Sequence, residues 1–443
     1  MSLKIKNLVN EVDSLPDYKV FGKVSAVKGL LLEAIGISYF TSVGSFCHIR
    51  SRSGDTIRAE VVGFRDNITL LMAFDNLLGI GTGCEVEVVA KDQAIYPSPS
   101  WLGRVVNAFG EPIDDKGALH KGDQAYFLHS LAPPAKKRRR VAGKLDMGVR
   151  AVNAFTTCCK GQRLGIMAGS GVGKSMMMAM FTKFANTDVK IIGLIGERGR
   201  EVQEFIEDYL GEEGLKHAVV VVATSDEAAL ARKQAAYLMM TIAEYFRDQG
   251  KEVLAMMDNV TRFAMAQREI GLAAGEPPTT KGYTPSVFAE LPRLLERSGP
   301  GLPEQGDITG IFAVLVEGDD TNEPIADALR AILDGHIDLD REIAARGRYP
   351  AINIMKSVSR LIPSCNTPEE NALILKAKKY LATYENMADM VRIGAYKAGS
   401  DPEVDLAIRY FPAIENFLEQ DFKTPDSLEN AYLKLAAAID FKN

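Results

Sequence analysis

Ala168-Gly169-Ser170-Gly171-Val172-Gly173-Lys174-Ser175 is the stretch that settles the fold class. It follows an apolar run at 163–168 and leads into a helical pattern. Glycines let the backbone turn so that successive N–H groups converge, and a helix N-terminus at that point favours an anion. The spacing predicts a phosphate-binding loop between a strand and a helix. Gly169, Ser170, Gly171, Val172, Gly173, Lys174, Ser175 and Met176 are the candidate nucleotide contacts. Lys174 is placed to reach the β- and γ-phosphates of a nucleotide, and the Ser175 hydroxyl to ligate Mg²⁺. Ala168 stands where the first glycine is usual, one small residue for another. Met176, Met177, Met178 and Met180 then read as core packing along the helix, with Met176 also counted beside the loop.

Working outward, nearly continuous apolar runs at 163–168, 190–196, 218–224, 253–258 and 310–316 alternate with helical stretches. Such runs suit parallel strands covered on both faces, and the alternation predicts βαβ units in an open sheet. Thr224-Ser225-Asp226-Glu227 has capping-box spacing ahead of a helix expected to stop at Gly250. Two strand tips carry carboxylates. Asp258 ends the run 253–257, where a magnesium-binding carboxylate can sit beside the loop. Glu197 opens Glu197-Arg198-Gly199-Arg200-Glu201, where a carboxylate can orient an attacking water, although a solvated charge cluster has the same pattern. Arg360 has no meaning from local pattern alone, and the histidines are isolated.

Upstream, 18–92 shows short alternating segments at 20–27, 47–50, 56–64, 68–72 and 84–89, separated by turn residues. These predict a small β-barrel or sandwich. The first residues place Leu3, Ile5, Leu8, Val9, Val12 and Leu15 on one side of a helical pattern. That suits either a capping helix or a contact with a partner or membrane surface. Lys136-Lys137-Arg138-Arg139-Arg140, after Pro133-Pro134, reads as a solvated connector. Beyond 364 the chain reads as all-helical, with Pro368-Glu369-Glu370 as a helix start. The expected division is 1–17 amphipathic segment, 18–92 β-barrel, 93–363 nucleotide domain and 364–443 helical domain.

Composition narrows the function. The chain has 443 residues, 25% charged, and a formal net charge of -6, which gives no global bias toward nucleic acid or anionic lipid. Five scattered cysteines lack metal-type spacing and read as reduced thiols. No run reaches the length of a membrane span, and no signal-peptide pattern opens the sequence. A cytoplasmic protein is expected.

The loop at 168–175, Gly196-Glu197-Arg198-Gly199-Arg200-Glu201 and Asp258-Asn259-Val260-Thr261-Arg262-Phe263 together resemble the catalytic subunit family of rotary ATP synthases. Phe263-Ala264-Met265-Ala266-Gln267-Arg268-Glu269-Ile270-Gly271, Ala274-Gly275-Glu276-Pro277-Pro278 and Val316-Glu317-Gly318-Asp319-Asp320 resemble its protein-export branch. Thr157-Cys158-Cys159-Lys160-Gly161-Gln162-Arg163 and Arg348-Tyr349-Pro350-Ala351-Ile352-Asn353 look more like the flagellar form of that branch than the injectisome form. The resemblance implies a RecA-like core between an N-terminal β-barrel and a C-terminal helical domain.

It also implies roles. Glu197 takes the place of the catalytic carboxylate, with Arg198 beside it near the γ-phosphate. Glu201 matches the acidic residue that helps hold the metal and its waters. Tyr349 matches an aromatic that stacks on adenine. Arg360 matches an arginine finger acting on the neighbouring subunit's nucleotide. A finger of that kind implies a hexameric ring. The implied partners are a stator-like regulatory protein at the N-terminus, a coiled-coil stalk protein in the ring centre, the export gate, chaperones and export substrates. Peripheral membrane association is implied too, at the inner-membrane export apparatus.

Two other classes share parts of this pattern. An RNA-translocating hexameric ATPase shares the core, but its barrel should interleave aromatic and basic residues. Tyr39, Phe40, Phe46, Phe64 and Phe74 come without a clear set of basic partners, so nucleic acid is not expected as a partner. A non-catalytic ring subunit would have no use for Glu197 and Arg360 together.

Overall fold

Alternation of inward apolar and outward polar residues after residue 20 closes a barrel rather than a sandwich. In the computed structural model, which describes residues 19–89, 94–316 and 323–441, six antiparallel strands form it. They are Phe21–Lys28, Leu31–Ile35, Phe46–Arg50, Thr56–Arg65, Ile68–Ala73 and Glu85–Val88, bonded cyclically in the order first, second, fifth, fourth, third, sixth. Val24, Leu32, Ile49, Val61, Leu71 and Val86 fill the interior. Leu31–Ile35 escapes the sequence reading because Glu33 interrupts its apolar run. That glutamate is buried and accepts from Lys28 Nζ at 2.8 Å and from Arg65. The amphipathic segment expected at 3–15 lies outside the described residues.

The chain separates into two compact units, one built on this barrel and one on a nine-stranded sheet. Across the sheet the strands run Ile352–Ser359, Gly335–Leu339, Arg163–Ala168, Asp307–Leu315, Val253–Asp258, Val189–Glu197, Ala218–Thr224 and Arg104–Val106, with Gly299–Pro300 paired on Asp307–Leu315. The five runs read from the sequence are all here and pair in parallel. They are buried on both faces, which is why their sequences are unbroken apolar runs.

The strands that went unread lie toward the sheet's edges. Ile352–Ser359 pairs antiparallel and keeps several residues exposed. Arg104–Val106 is three residues long, and Arg104 is locked by Asp114 through Nε–Oδ2 at 2.7 Å and Nη2–Oδ1 at 2.8 Å.

Thr224 begins half of the expected capping box: its N–H donates to Glu227 Oε1 at 2.7 Å, while its hydroxyl turns to Asp226. The helix Ala229–Asp248 follows, and Gly250 turns the chain at φ 76°. The basic run is not wholly solvated. Arg138 donates to the carbonyls of Pro133, Glu296 and Ser298, and Arg139 to Gln305 O and Asp307, so carbonyl oxygens and one carboxylate draw two of its cations onto the sheet unit.

After Thr367, whose capping box with Glu370 is complete, the described chain is helical over Pro368–Arg392, Pro402–Leu418 and Leu428–Ala438. Leu373, Ile374, Ala377, Ile414, Phe417 and Leu435 pack into the same core as Phe155, Leu164 and Ile352.

Candidate active site

Parallel strands bring their C-terminal tips to one edge of the sheet, and ligands bind in α/β folds along that edge. Leu194 stands opposite Asp258, so the tips bearing Glu197 and Asp258 are neighbours. The loop 169–173 leaves Ala168 two strands away and enters the helix Lys174–Phe184. Gly171 and Gly173 adopt φ of 78° and 95°, conformations an L side chain rarely takes. At Gly196, φ is 72° and a Cβ would meet Arg262 Cβ at 2.7 Å, so glycine is needed for this approach.

These elements border a cavity of about 840 Å³. Gly169, Ser170, Gly171, Gly173, Lys174, Ser175 and Met176 all line it. Val172, also expected as a contact, is buried in the core and does not line the cavity. Met177, Met178 and Met180 are buried as expected, while Met176 is half-buried. Glu197, Arg198, Glu201 and Tyr349 also line the cavity, and the Tyr349 ring comes within 3.6 Å of the Cβ position at Gly173.

At the centre, Lys174 Nζ donates to Asp258 Oδ1 and, at 3.3 Å, to Glu197 Oε1. Burial disfavours the Lys174 ammonium, but the two carboxylates outweigh it and raise its pKa. Burial would likewise raise Glu197. The Lys174 charge, then hydrogen bonds involving Glu201, Asn259 and Lys174, overcome it and hold Glu197 below the ordinary glutamate value. Asp258 goes the other way: burial, reinforced by the Glu197 charge against the pull of Lys174, lifts it to about 6. Arg198 is 77% exposed and pairs with Glu201 at 3.4 Å.

Arg360 does not belong to this cavity. It follows directly on the edge strand Ile352–Ser359, exposed, with its N–H on Asp334 O and its Nη2 on Arg330 O at 2.8 Å.

Sequence reasoning passed over Asn259. Its Nδ2 donates to Glu197 Oε1 at 2.5 Å while its Oδ1 accepts from the Arg262 N–H at 2.8 Å. Gln420 and Phe422 also went unread. They reach the cavity from the chain following the helix Pro402–Leu418, and no local pattern marks them. Gln420 N–H donates to Tyr349 O, its Nε2 to Gly148 O, and its Oε1 accepts from the Arg150 N–H.

Among the described residues no three His, Cys, Asp or Glu side chains gather into a ready metal cage. Magnesium in nucleotide sites needs none, since one or two oxygen ligands suffice beside substrate phosphates and water. Ser175 and Glu201 line the cavity and offer hard oxygens of that kind, whereas Asp258 is buried behind it with its carboxylate on Lys174.

Three family models match the chain: ATP synthase alpha/beta family, beta-barrel domain, over residues 24–89; its nucleotide-binding domain over 148–359; and the T3SS EscN ATPase C-terminal domain over 366–437. The flagellum-specific ATP synthase of Caulobacter vibrioides is 55% identical over 97% of this chain and 98% of that protein. The type 3 secretion system ATPase of Xanthomonas euvesicatoria is 45% identical over 98% and 97%. Among solved structures, the assembled ATPase EscN of the enteropathogenic E. coli type III secretion system superposes with a TM-score of 0.89 at 40% identity. It covers 94% of this chain and 100% of that one. EscN in complex with its central stalk EscO gives 0.86.

The barrel, the RecA-like sheet with its phosphate loop and the helical tail are those of a P-loop ATPase, and the chain belongs to the ATP synthase alpha/beta family. Within that family it falls among the type III protein-export ATPases, on the flagellum-specific side.

Proposed function

We infer that the protein hydrolyses ATP to energise flagellar type III protein export, working as a homohexameric ring in the cytoplasm at the inner-membrane export apparatus. The observation that carries the catalytic part is the Glu197 carboxylate, kept ionised beside the phosphate-loop lysine and oriented by Asn259.

In this reading the loop N–H groups and Lys174 bind the phosphates, and Tyr349 packs on the adenine. Ser175, Glu201 and Asp258 would hold Mg²⁺, which when bound neutralises charge on the phosphate oxygens. Glu197 accepts a hydrogen bond from the attacking water and holds it in line with the γ-phosphorus. Arg198, beside it, faces the γ-phosphate. Arg360 lies outside its own chain's cavity and acts on the nucleotide of the next subunit. A finger of that kind is worth roughly 10³ to 10⁵ in rate.

The chain then divides by task. Residues 93–363 carry the chemistry and 18–92 the ring's barrel. Residues 364–443 form the helical domain, a coiled-coil stalk enters the ring centre, and 1–17 meet a stator-like regulator. The assembled EscN and its complex with the stalk EscO support the ring and stalk. Export gate, chaperones and export substrates complete the partners.

Glu197→Gln tests this directly. It should bind ATP with wild-type affinity and lose kcat by about 100-fold or more; an unchanged kcat removes Glu197 from its role.

A further inference from the structure

Gln420 ties three distant stretches of chain together where the C-terminal helices meet the cavity. It stands two residues past the helix Pro402–Leu418 and is only 8% exposed. Its Nε2 donates to Gly148 O and to Thr424 O, both at 2.8 Å, and its Oε1 accepts the Arg150 N–H at 2.8 Å. An amide nitrogen carries two hydrogens, so both donors are spent inside the protein and neither is left for a ligand. The backbone N–H of Gln420 donates to Tyr349 O at 2.9 Å. The bond from Nε2 to Thr424 closes the loop that carries Phe422, and Phe422 and Tyr349 both line the cavity.

The chain around Tyr349 has a second brace. The buried Arg348 guanidinium donates to Pro350 O at 3.2 Å and to Ile352 O at 3.0 Å. Its Nε lies 3.1 Å from Glu415 Oε2 on the helix Pro402–Leu418. The Tyr349 ring itself is 40% exposed, so packing holds it on one side only and its backbone must set its place.

We propose that Gln420 is a positioning residue for base recognition, its side chain setting Tyr349 and Phe422 as walls for the base of the nucleotide. The role rests on Tyr349 being the adenine contact. Without the side chain, the chain 420–424 loses its anchors on Gly148 and Arg150. Both rings must then be ordered when the nucleotide arrives, and that ordering is subtracted from affinity. Phosphoryl transfer leaves the base unchanged, so a contact to it is equally strong in the ground and transition states. Losing such a contact raises KM and leaves kcat alone. Gln420 therefore differs from Glu197, whose loss is read in kcat.

The test compares ATP with magnesium tripolyphosphate, which offers the phosphate loop its phosphates without a base. In Gln420→Ala the Kd for ATP, by calorimetric titration, and the KM should both rise about 10-fold, with kcat within about 2-fold of wild type. The inhibition constant of tripolyphosphate should stay within about 2-fold, since no base is there to place. Gln420→Met keeps the length without the amide; it should show the same split, and it carries the test if Gln420→Ala does not fold. Tyr349→Ala, in the same assays, should weaken ATP and spare tripolyphosphate. Wild-type ATP affinity in the Gln420 variants overturns the proposal, and so does a loss shared equally by ATP and tripolyphosphate. If Tyr349→Ala still weakens ATP alone, the stacking role of that ring stands without Gln420. Wild-type ATP affinity in Tyr349→Ala removes the stacking role and the proposal with it.

Discussion

Asn259 holds Glu197: its amide nitrogen donates to the carboxylate at 2.5 Å, while its amide oxygen accepts the N–H of Arg262, three residues on. The side chain is therefore fixed at both ends, and its donor fixes the carboxylate oxygen that also faces Lys174. Catalytic carboxylates act through geometry before they act through basicity. Asn259 is a positioning residue for the carboxylate proposed to orient water.

Asn259→Ala should lower kcat about 10- to 100-fold with little change in KM for ATP. Asn259→Asp should fail to restore it, since a second carboxylate repels Glu197. Steady-state kinetics with the folded state checked by circular dichroism decide this. A normal kcat in Asn259→Ala would show that Glu197 needs no support.

Lys174→Ala should abolish tight ATP binding, and it should also destabilise the nucleotide-free chain. Its ammonium is the cation between two carboxylates, and Asp258 is nearly fully buried. Leaving a buried charge without its partner costs about 3–5 kcal/mol, less whatever Asp258 recovers by protonating. Calorimetric titration and thermal melts check the two parts. Wild-type affinity in the variant removes the phosphate-loop assignment.

Acid should weaken the sheet's edge. Burial opposes ionisation of Asp114, but the two bonds from Arg104 and the N–H groups of Val105 and Lys116 outweigh it and lower its pKa to about 2. A depressed carboxylate contributes stability in full above its unfolded pKa and loses it as pH falls through the folded one. Asp114→Asn should cost about 1 kcal/mol at pH 7, and the difference from wild type should shrink between about pH 4 and pH 2. Urea midpoints at pH 7 and pH 3 measure it, and a gap that widens in acid would reverse the sign.

Much of this was legible in the sequence because burial on both faces leaves a plain record. The strands at 163–168, 218–224 and 253–258 are apolar throughout, and the loop between strand and helix could be read residue by residue. The edge strands Arg104–Val106 and Ile352–Ser359 left no such record, because one side of each pairing is open and polar residues are tolerated there. Leu31–Ile35 was hidden by Glu33, whose burial depends on two cations that no local window connects to it.

At the site, Lys174, Ser175, Glu197 and Tyr349, which motif and resemblance single out, line one cavity. Asn259 was passed over because an amide after a strand-end aspartate carries no signal of its own. Gln420 and Phe422 depend on a tertiary contact between the C-terminal helices and the sheet's binding edge, which no spacing rule reports. The basic run at 136–140 looked like a connector, yet Arg138 and Arg139 are drawn in by carbonyl oxygens distant in sequence.

In the proposed ring each site is shared between subunits, with Arg360 serving the nucleotide of its neighbour. That sharing is tested most directly by ATPase rate per protomer against protein concentration, with and without single-stranded RNA. The account predicts a rate per protomer that rises steeply with concentration, reaches a plateau as rings fill and does not respond to RNA. A rate per protomer that is flat down to the most dilute monomer, or one that requires RNA, would contradict it.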